Sequence, residues 1–135
     1  MKLSQQLLHQ IHRHLESSYP SEGCGVMLGQ NGTVSEAIPA DNQRTDSARN
    51  RYLIDPLIYL MIERAADKRK LQVLGIYHSH PDVAAQPSKV DLGHAWPDFS
   101  YLIISVVNGK AVESNSWRLR DDRSAFDQEA VEILG

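Results

Sequence analysis

Two histidines one residue apart, in His78-Ser79-His80-Pro81, stand at the end of an apolar run, Leu71–Tyr77. On an extended backbone, residues i and i+2 point to the same side, so both imidazoles can meet one ion. Zinc takes neutral imidazole nitrogen at about 2.0–2.1 Å and, in a catalytic site, a third protein ligand, leaving one position for water. Asp91 is a candidate for that third ligand. If Ser88 caps a short helix, Ser88 and Asp91 lie three apart on one helix face, turned toward the strand's end. Alone, an H-x-H at a strand end is often only a polar loop. Alone, Ser88-Lys89-Val90-Asp91 reads as a capping box. Together, H-x-H-x7-S-x2-D is far more demanding than either part, and capping and catalysis are compatible roles.

Those residues need a scaffold. Leu3, Leu7, Ile11 and Leu15 recur at i, i+4 spacing and predict an amphipathic first helix ending before Tyr19-Pro20. Cys24–Leu28 reads as a buried strand, Asn31-Gly32 as a hairpin turn, and Thr33–Ile38 as its partner. Residues 41–50 are loop-like throughout. Tyr52-Leu53-Ile54 looks like a short strand, and Asp55-Pro56 is a good start for a helix running to about Arg69. Its apolar face includes Leu57, Leu60, Met61 and Ala65, and its basic end, Lys68-Arg69-Lys70, suits the negative pole of the helix dipole.

The run Leu71–Tyr77 has the apolar continuity of a central strand covered on both faces. A short helix from Ser88 ends at Trp96-Pro97. Tyr101–Val107 is a second buried strand, turned by Asn108-Gly109 into Ala111–Leu119. Glu129–Leu134 reads as a closing strand or a helical tail. The order αββ(β)αβαββ predicts an α/β fold: one domain, residues 1–135, with a mixed sheet flanked by helices.

The 135 residues are 41% hydrophobic and 23% charged, with mean hydropathy −0.39, which suits a globular protein. Net charge is −3, which offers no basic field for a phosphate backbone and argues against a nucleic-acid partner. A single cysteine, Cys24, excludes an internal disulfide and a multi-cysteine zinc site, and it reads as a packed thiol. No signal peptide or membrane span is visible, so the expected setting is cytoplasmic. Of the six histidines, His9, His12 and His14 are expected on the solvated face of the first helix. His94, one turn after Asp91, is either an exposed helix residue or a group behind the ligands. Trp96 and Tyr101 are expected to pack the core.

The pattern His78, His80, Ser88 and Asp91 in HSHPDVAAQPSKVD resembles the JAMM/MPN family of zinc metalloproteases. So does Pro20-Ser21-Glu22-Gly23-Cys24-Gly25-Val26-Met27-Leu28-Gly29, which is similar to the P-x-E-x-C-G-x-x-x-G element of its small prokaryotic branch, the branch of CysO-cysteine peptidases. The order of elements fits from near residue 1 to at least Leu119. The resemblance implies a cytidine-deaminase-like sandwich and one zinc ion per chain, held by His78, His80 and Asp91. It implies Glu22 as general base, which by itself reads as an exposed carboxylate after a turn. It implies Ser88 as hydrogen-bond donor to the oxyanion. Asp82 also makes HSHPD look like a metallo-β-lactamase start, but Val83 stands where a histidine is required. An HxH amidohydrolase would need a barrel of about 250 residues.

Family members cut after the C-terminal Gly-Gly of ubiquitin or ubiquitin-like sulfur carriers. The resemblance therefore implies a β-grasp carrier as substrate, with cysteine or a C-terminal extension released. Residues 41–50 are a candidate wall for the groove that would hold the tail extended. Another JAMM branch, RadC-like or deubiquitinase-like, and a non-catalytic module binding ubiquitin-like folds are the alternatives. A homodimer is left open.

Overall fold

The computed structural model describes residues 1–42 and 52–135. Its elements are β1 (Lys2–Ser4), α1 (Gln5–Ser18), β2 (Cys24–Gln30), β3 (Thr33–Ala40), α2 (Pro56–Lys68), β4 (Gln72–Pro81), α3 (Lys89–His94), β5 (Ser100–Val107), β6 (Lys110–Leu119), β7 (Phe126–Glu129) and β8 (Glu132–Leu134). The strands form one sheet in the order β7-β6-β5-β4-β2-β3-β1-β8. Most neighbours are antiparallel, but β4 and β5 run parallel, with α3 in the crossover between them. The expected mixed α/β architecture is present. The loop expected over 41–50, and its role as a groove wall, fall mostly on residues outside those described.

Each face of the sheet takes its own helix. Ser4 caps α1 by accepting the Leu7 N–H at 3.0 Å, and the stripe Leu7, Leu8, Ile11 and Leu15 is buried. It packs on Met27, Tyr77, Leu102 and Ile104, the side chains that the strands turn to that face. Fully burying each such side chain contributes about 1.5–3 kcal/mol. Leu3, expected in the helix, instead lies in β1, which pairs parallel with β8 at the register Leu3↔Ile133. Three residues carry too little alternation to announce a strand, and β8 supplies the pairing.

The polar face of α1 also differs from expectation. His9 is exposed, but His12 lies 2.8 Å from Ser114 Oγ and His14 Nδ1 lies 2.7 Å from Tyr77 Oη, both part-buried. Burial pushes both imidazoles below their ordinary value, against the pull of Glu16 on His12 and Asp41 on His14. Sheet residues reach past the edge of the helix, so a face polar in sequence is not a face left to water.

On the opposite face α2 starts as expected, with Asp55 accepting the Leu57 N–H at 2.9 Å and Pro56 in the first turn. Its inward residues are Ala66, Tyr59 and Ile62, packed with Val26, Ile76 and Tyr101. Leu57, Leu60, Met61 and Ala65, the expected apolar face, point outward. Apolar residues surround this helix almost completely, so periodicity alone could not choose the buried side. Tyr52–Ile54 is irregular backbone rather than a strand. Trp96, expected in the core, is 62% exposed with Arg123 5.5 Å from its ring, whereas Tyr101 is buried. Glu129–Leu134 resolves into the end of β7 and all of β8. No helix of the described residues is long and apolar enough to cross a membrane.

Candidate metal centre

The site is built on the α2 face of the sheet, where β2 and β4 run antiparallel with Cys24 opposite His78. The ladder continues one step further: the Ser79 N–H donates to Gly23 O at 3.1 Å, and the Gly23 N–H donates to Ser79 Oγ at 2.9 Å. With a side-chain period of two, Glu22, Cys24, His78 and His80 then share one face. The intervening Ser79 is wholly buried and serves the backbone instead. The close approach of the strands requires Gly25: a Cβ there would lie 2.2 Å from the Tyr77 ring.

Glu22, His78 and His80 are all buried, and their ligand atoms lie within 4.8 Å of one another. The Glu22 carboxylate, which read alone as an exposed group, is 4% exposed. Its Oε1 is 3.3 Å from His78 Nδ1. Asp91 approaches from the first turn of α3, on the other side of the imidazole. Its Oδ1 lies 3.6 Å from His78 Nε2, and its Oδ2 lies 3.1 Å from His80 Nε2.

Asp91 is held there by the cap of its own helix. Ser88 Oγ accepts the Asp91 N–H at 3.1 Å, and Asp91 Oδ2 accepts the Ser88 N–H at 2.8 Å, the reciprocal pattern of a capping box. His80 is fixed from behind, because Nδ1 lies 3.0 Å from Ala84 O. A carbonyl only accepts, so Nδ1 carries a proton there, and the ring is turned so that Nε2 faces Asp91.

Electrostatics follow from this packing. Burial opposes a charge on His80, but the hydrogen bonds to Asp91 and Ala84 and the nearby carboxylates outweigh it and raise the imidazole's pKa. Burial likewise opposes ionisation of Asp91, yet hydrogen bonding to His80 and the neighbouring imidazole charge bring it down to about 2. Burial pushes the Cys24 thiol up to about 12, with Glu22 and Asp41 adding to the rise, so the packed and unreactive reading of Cys24 stands.

The fit of a cation can be tested on what is left unsatisfied. Glu22 Oε1, His78 Nδ1 and His78 Nε2 are buried without a hydrogen-bond partner. Each such group costs about 1–3 kcal/mol when left in an apolar interior. Two imidazoles and two carboxylates with spare lone pairs make a donor set that suits zinc. His94 is exposed and lines the rim of a groove beside the cluster.

Sequence reasoning missed two supporting groups. The Tyr52 ring stacks on His78 with centroids 4.5 Å apart and planes at 27°. The Asn42 amide donates to Glu22 O at 3.0 Å. Neither belongs to a spacing pattern, and only the fold brings them to the cluster. Between Tyr52, Tyr59, Ile76, Trp96 and Tyr101 an apolar groove of ≈ 580 Å³ opens against Asp91.

Fold and cluster together define a mixed-sheet α/β protein with a buried His/His/carboxylate centre. The chain belongs to the prokaryotic homologs of the JAB domain, whose family model matches residues 4–120. A probable TtuB-protein conjugate cleaving protease of Thermus thermophilus is 37% identical over 97 residues, 72% of this chain and 64% of that relative. The chain thus spans just under two thirds of that relative's length. A CysO-cysteine peptidase of Mycobacterium tuberculosis is 29% identical, over 95% of this chain and 87% of its own. Among solved structures, a solution structure from Desulfitobacterium hafniense superposes with a TM-score of 0.84 at 28% identity, covering 98% of this chain and 92% of that one. A JAB1/MPN domain protein from Archaeoglobus fulgidus shares the fold, with a TM-score of 0.66 at 19% identity over the whole of both chains.

Proposed function

We propose that the chain is a zinc-dependent hydrolase that cuts the peptide or isopeptide bond after the C-terminal Gly-Gly of a ubiquitin-like sulfur-carrier protein. The observation that carries this reading is the buried cluster itself, with Glu22, His78 and His80 gathered and Asp91 set against both imidazoles. Relatives named for cleaving protein conjugates and for acting on CysO-cysteine support the class of substrate.

In this reading His78, His80 and Asp91 hold one zinc ion, which when bound polarises the scissile carbonyl and makes water acidic enough to attack near neutral pH. Glu22 takes the proton from the attacking water on its carboxylate and hands it to the departing amine. Its burial excludes bulk water from that transfer. The Ser88 hydroxyl accepts the Asp91 N–H, so its own proton remains to be donated to the developing oxyanion. The hydrogen bond from His80 Nδ1 to Ala84 O keeps Nε2 turned inward throughout.

The test is to incubate the zinc-loaded protein with a β-grasp carrier bearing one residue beyond Gly-Gly and to follow intact mass. Loss of that residue is expected, abolished by a chelator and slowed about 10²–10⁴-fold by Glu22→Gln with zinc still bound. Cleavage by Glu22→Gln at the wild-type rate overturns the base, and a protein that takes up no zinc overturns the reading.

A further inference from the structure

The Glu22 carboxylate is buried, and its Oε1 takes no hydrogen bond among the described residues. Its direction therefore depends on its backbone, and Glu22 precedes β2, outside the regular ladder. One side of that backbone is fixed by the Gly23–Ser79 pair. The other is fixed by Asn42, two residues past the end of β3. Asn42 Nδ2 donates to Glu22 O at 3.0 Å, and Asn42 Oδ1 accepts the Leu53 N–H at 3.0 Å. The two partners, a carbonyl and an N–H, dictate which way the amide points.

Leu53 directly follows Tyr52, whose ring lies on His78. One amide therefore ties together the segment that carries Glu22 and the segment that covers His78. Three irregular stretches, far apart in sequence, meet at a single side chain.

We propose that Asn42 is a positioning residue for Glu22, acting by fixing the backbone that aims the carboxylate. The proposal rests on the functional reading above. Misplacing a catalytic group by about 1 Å can cost about 10²-fold in rate, so loss of the tie falls on kcat. KM does not change by the same mechanism, because the tie acts on the backbone of the base and not on binding of the carrier.

The experiment compares Asn42→Ala and Asn42→Asp with wild type on the extended carrier, each also in the Glu22→Gln background. Asn42→Asp keeps an acceptor for Leu53 and loses the donor to Glu22. Both variants are expected to lower kcat by about tenfold or more, with KM within twofold and zinc content unchanged. With Glu22→Gln in place neither is expected to cost anything further, because the group it serves is gone. Amide exchange read in parallel should show Leu53 opening at least tenfold faster in Asn42→Ala and remaining protected in Asn42→Asp.

A wild-type kcat in both variants, a loss confined to KM, or full additivity with Glu22→Gln overturns the proposal. So does unchanged exchange at Leu53 in Asn42→Ala. A wild-type protein that takes up zinc and cleaves no Gly-Gly carrier overturns the functional reading instead, and exchange then shows separately whether the tie exists.

Discussion

His80 Nε2 lies 3.1 Å from Asp91 Oδ2, and that same oxygen accepts the Ser88 N–H at 2.8 Å. One carboxylate oxygen therefore joins the end of β4 to the start of α3. The helix cap and the proposed metal ligand are a single group, so changes at this corner report on both folding and chemistry.

Acid should weaken the metal-free protein at this pair. The Asp91 carboxyl is held near 2, below its ordinary 3.8, so its stabilisation is complete above about pH 4 and is lost as pH falls toward 2. The His80 imidazole is raised above 6.5, so its share is complete below that pH and is lost as pH rises through the raised value. Both shifts describe one coupled pair and do not add. The gap at Asp91 corresponds to about 2 kcal/mol. Urea unfolding of chelator-treated protein should show stability falling steeply below about pH 4, with Asp91→Asn flattening that acid limb.

Metal uptake should show the opposite trend with pH. Ligand histidines bind only when neutral, so loading falls as protons occupy His80. Because His80 is raised, the loss sets in at a higher pH than an unperturbed imidazole would give. Zinc titration by competition with a chromogenic chelator checks this. At neutral pH, Asp91→Ala should drop zinc well below one ion per chain.

Ser88→Ala should do two separable things. Loss of the cap should cost about 1 kcal/mol of stability. Loss of the oxyanion donor should lower kcat by about 10²–10³-fold. Ser88→Thr, which keeps both the acceptor and the proton, should retain the cap and most of the activity. Thermal melts and steady-state kinetics on the same three proteins decide this. An alanine variant that melts lower but turns over normally would leave Ser88 a cap alone.

The orientation of α2 can be read from stability. Met61 is 66% exposed, so Met61→Lys should change the unfolding free energy by no more than about 0.5 kcal/mol. Ala66 is buried against the sheet, so Ala66→Leu should overpack it and cost about 1–3 kcal/mol. Denaturant melts of the two variants distinguish the buried face seen here from the one that the periodicity suggested.

Sequence by itself determined the local features whose physics is short-ranged. Asp55 and Ser88 announce their helices because an N-cap needs only its own neighbours, and the i, i+2 rule places His78 and His80 on one side of a strand. Spacing also singled out Asp91, because it lies only eleven residues after His80, at the start of the next helix. Tertiary structure decided the rest. Glu22 lies 56 residues before His78 and is buried beside it only because β2 and β4 pair in the register that sets Gly23 against Ser79. The stacking of Tyr52 on His78, the two bonds of Asn42 and the side of α2 that faces the sheet depend on packing between distant segments. No periodicity encodes such packing, because every contact in it crosses from one element to another.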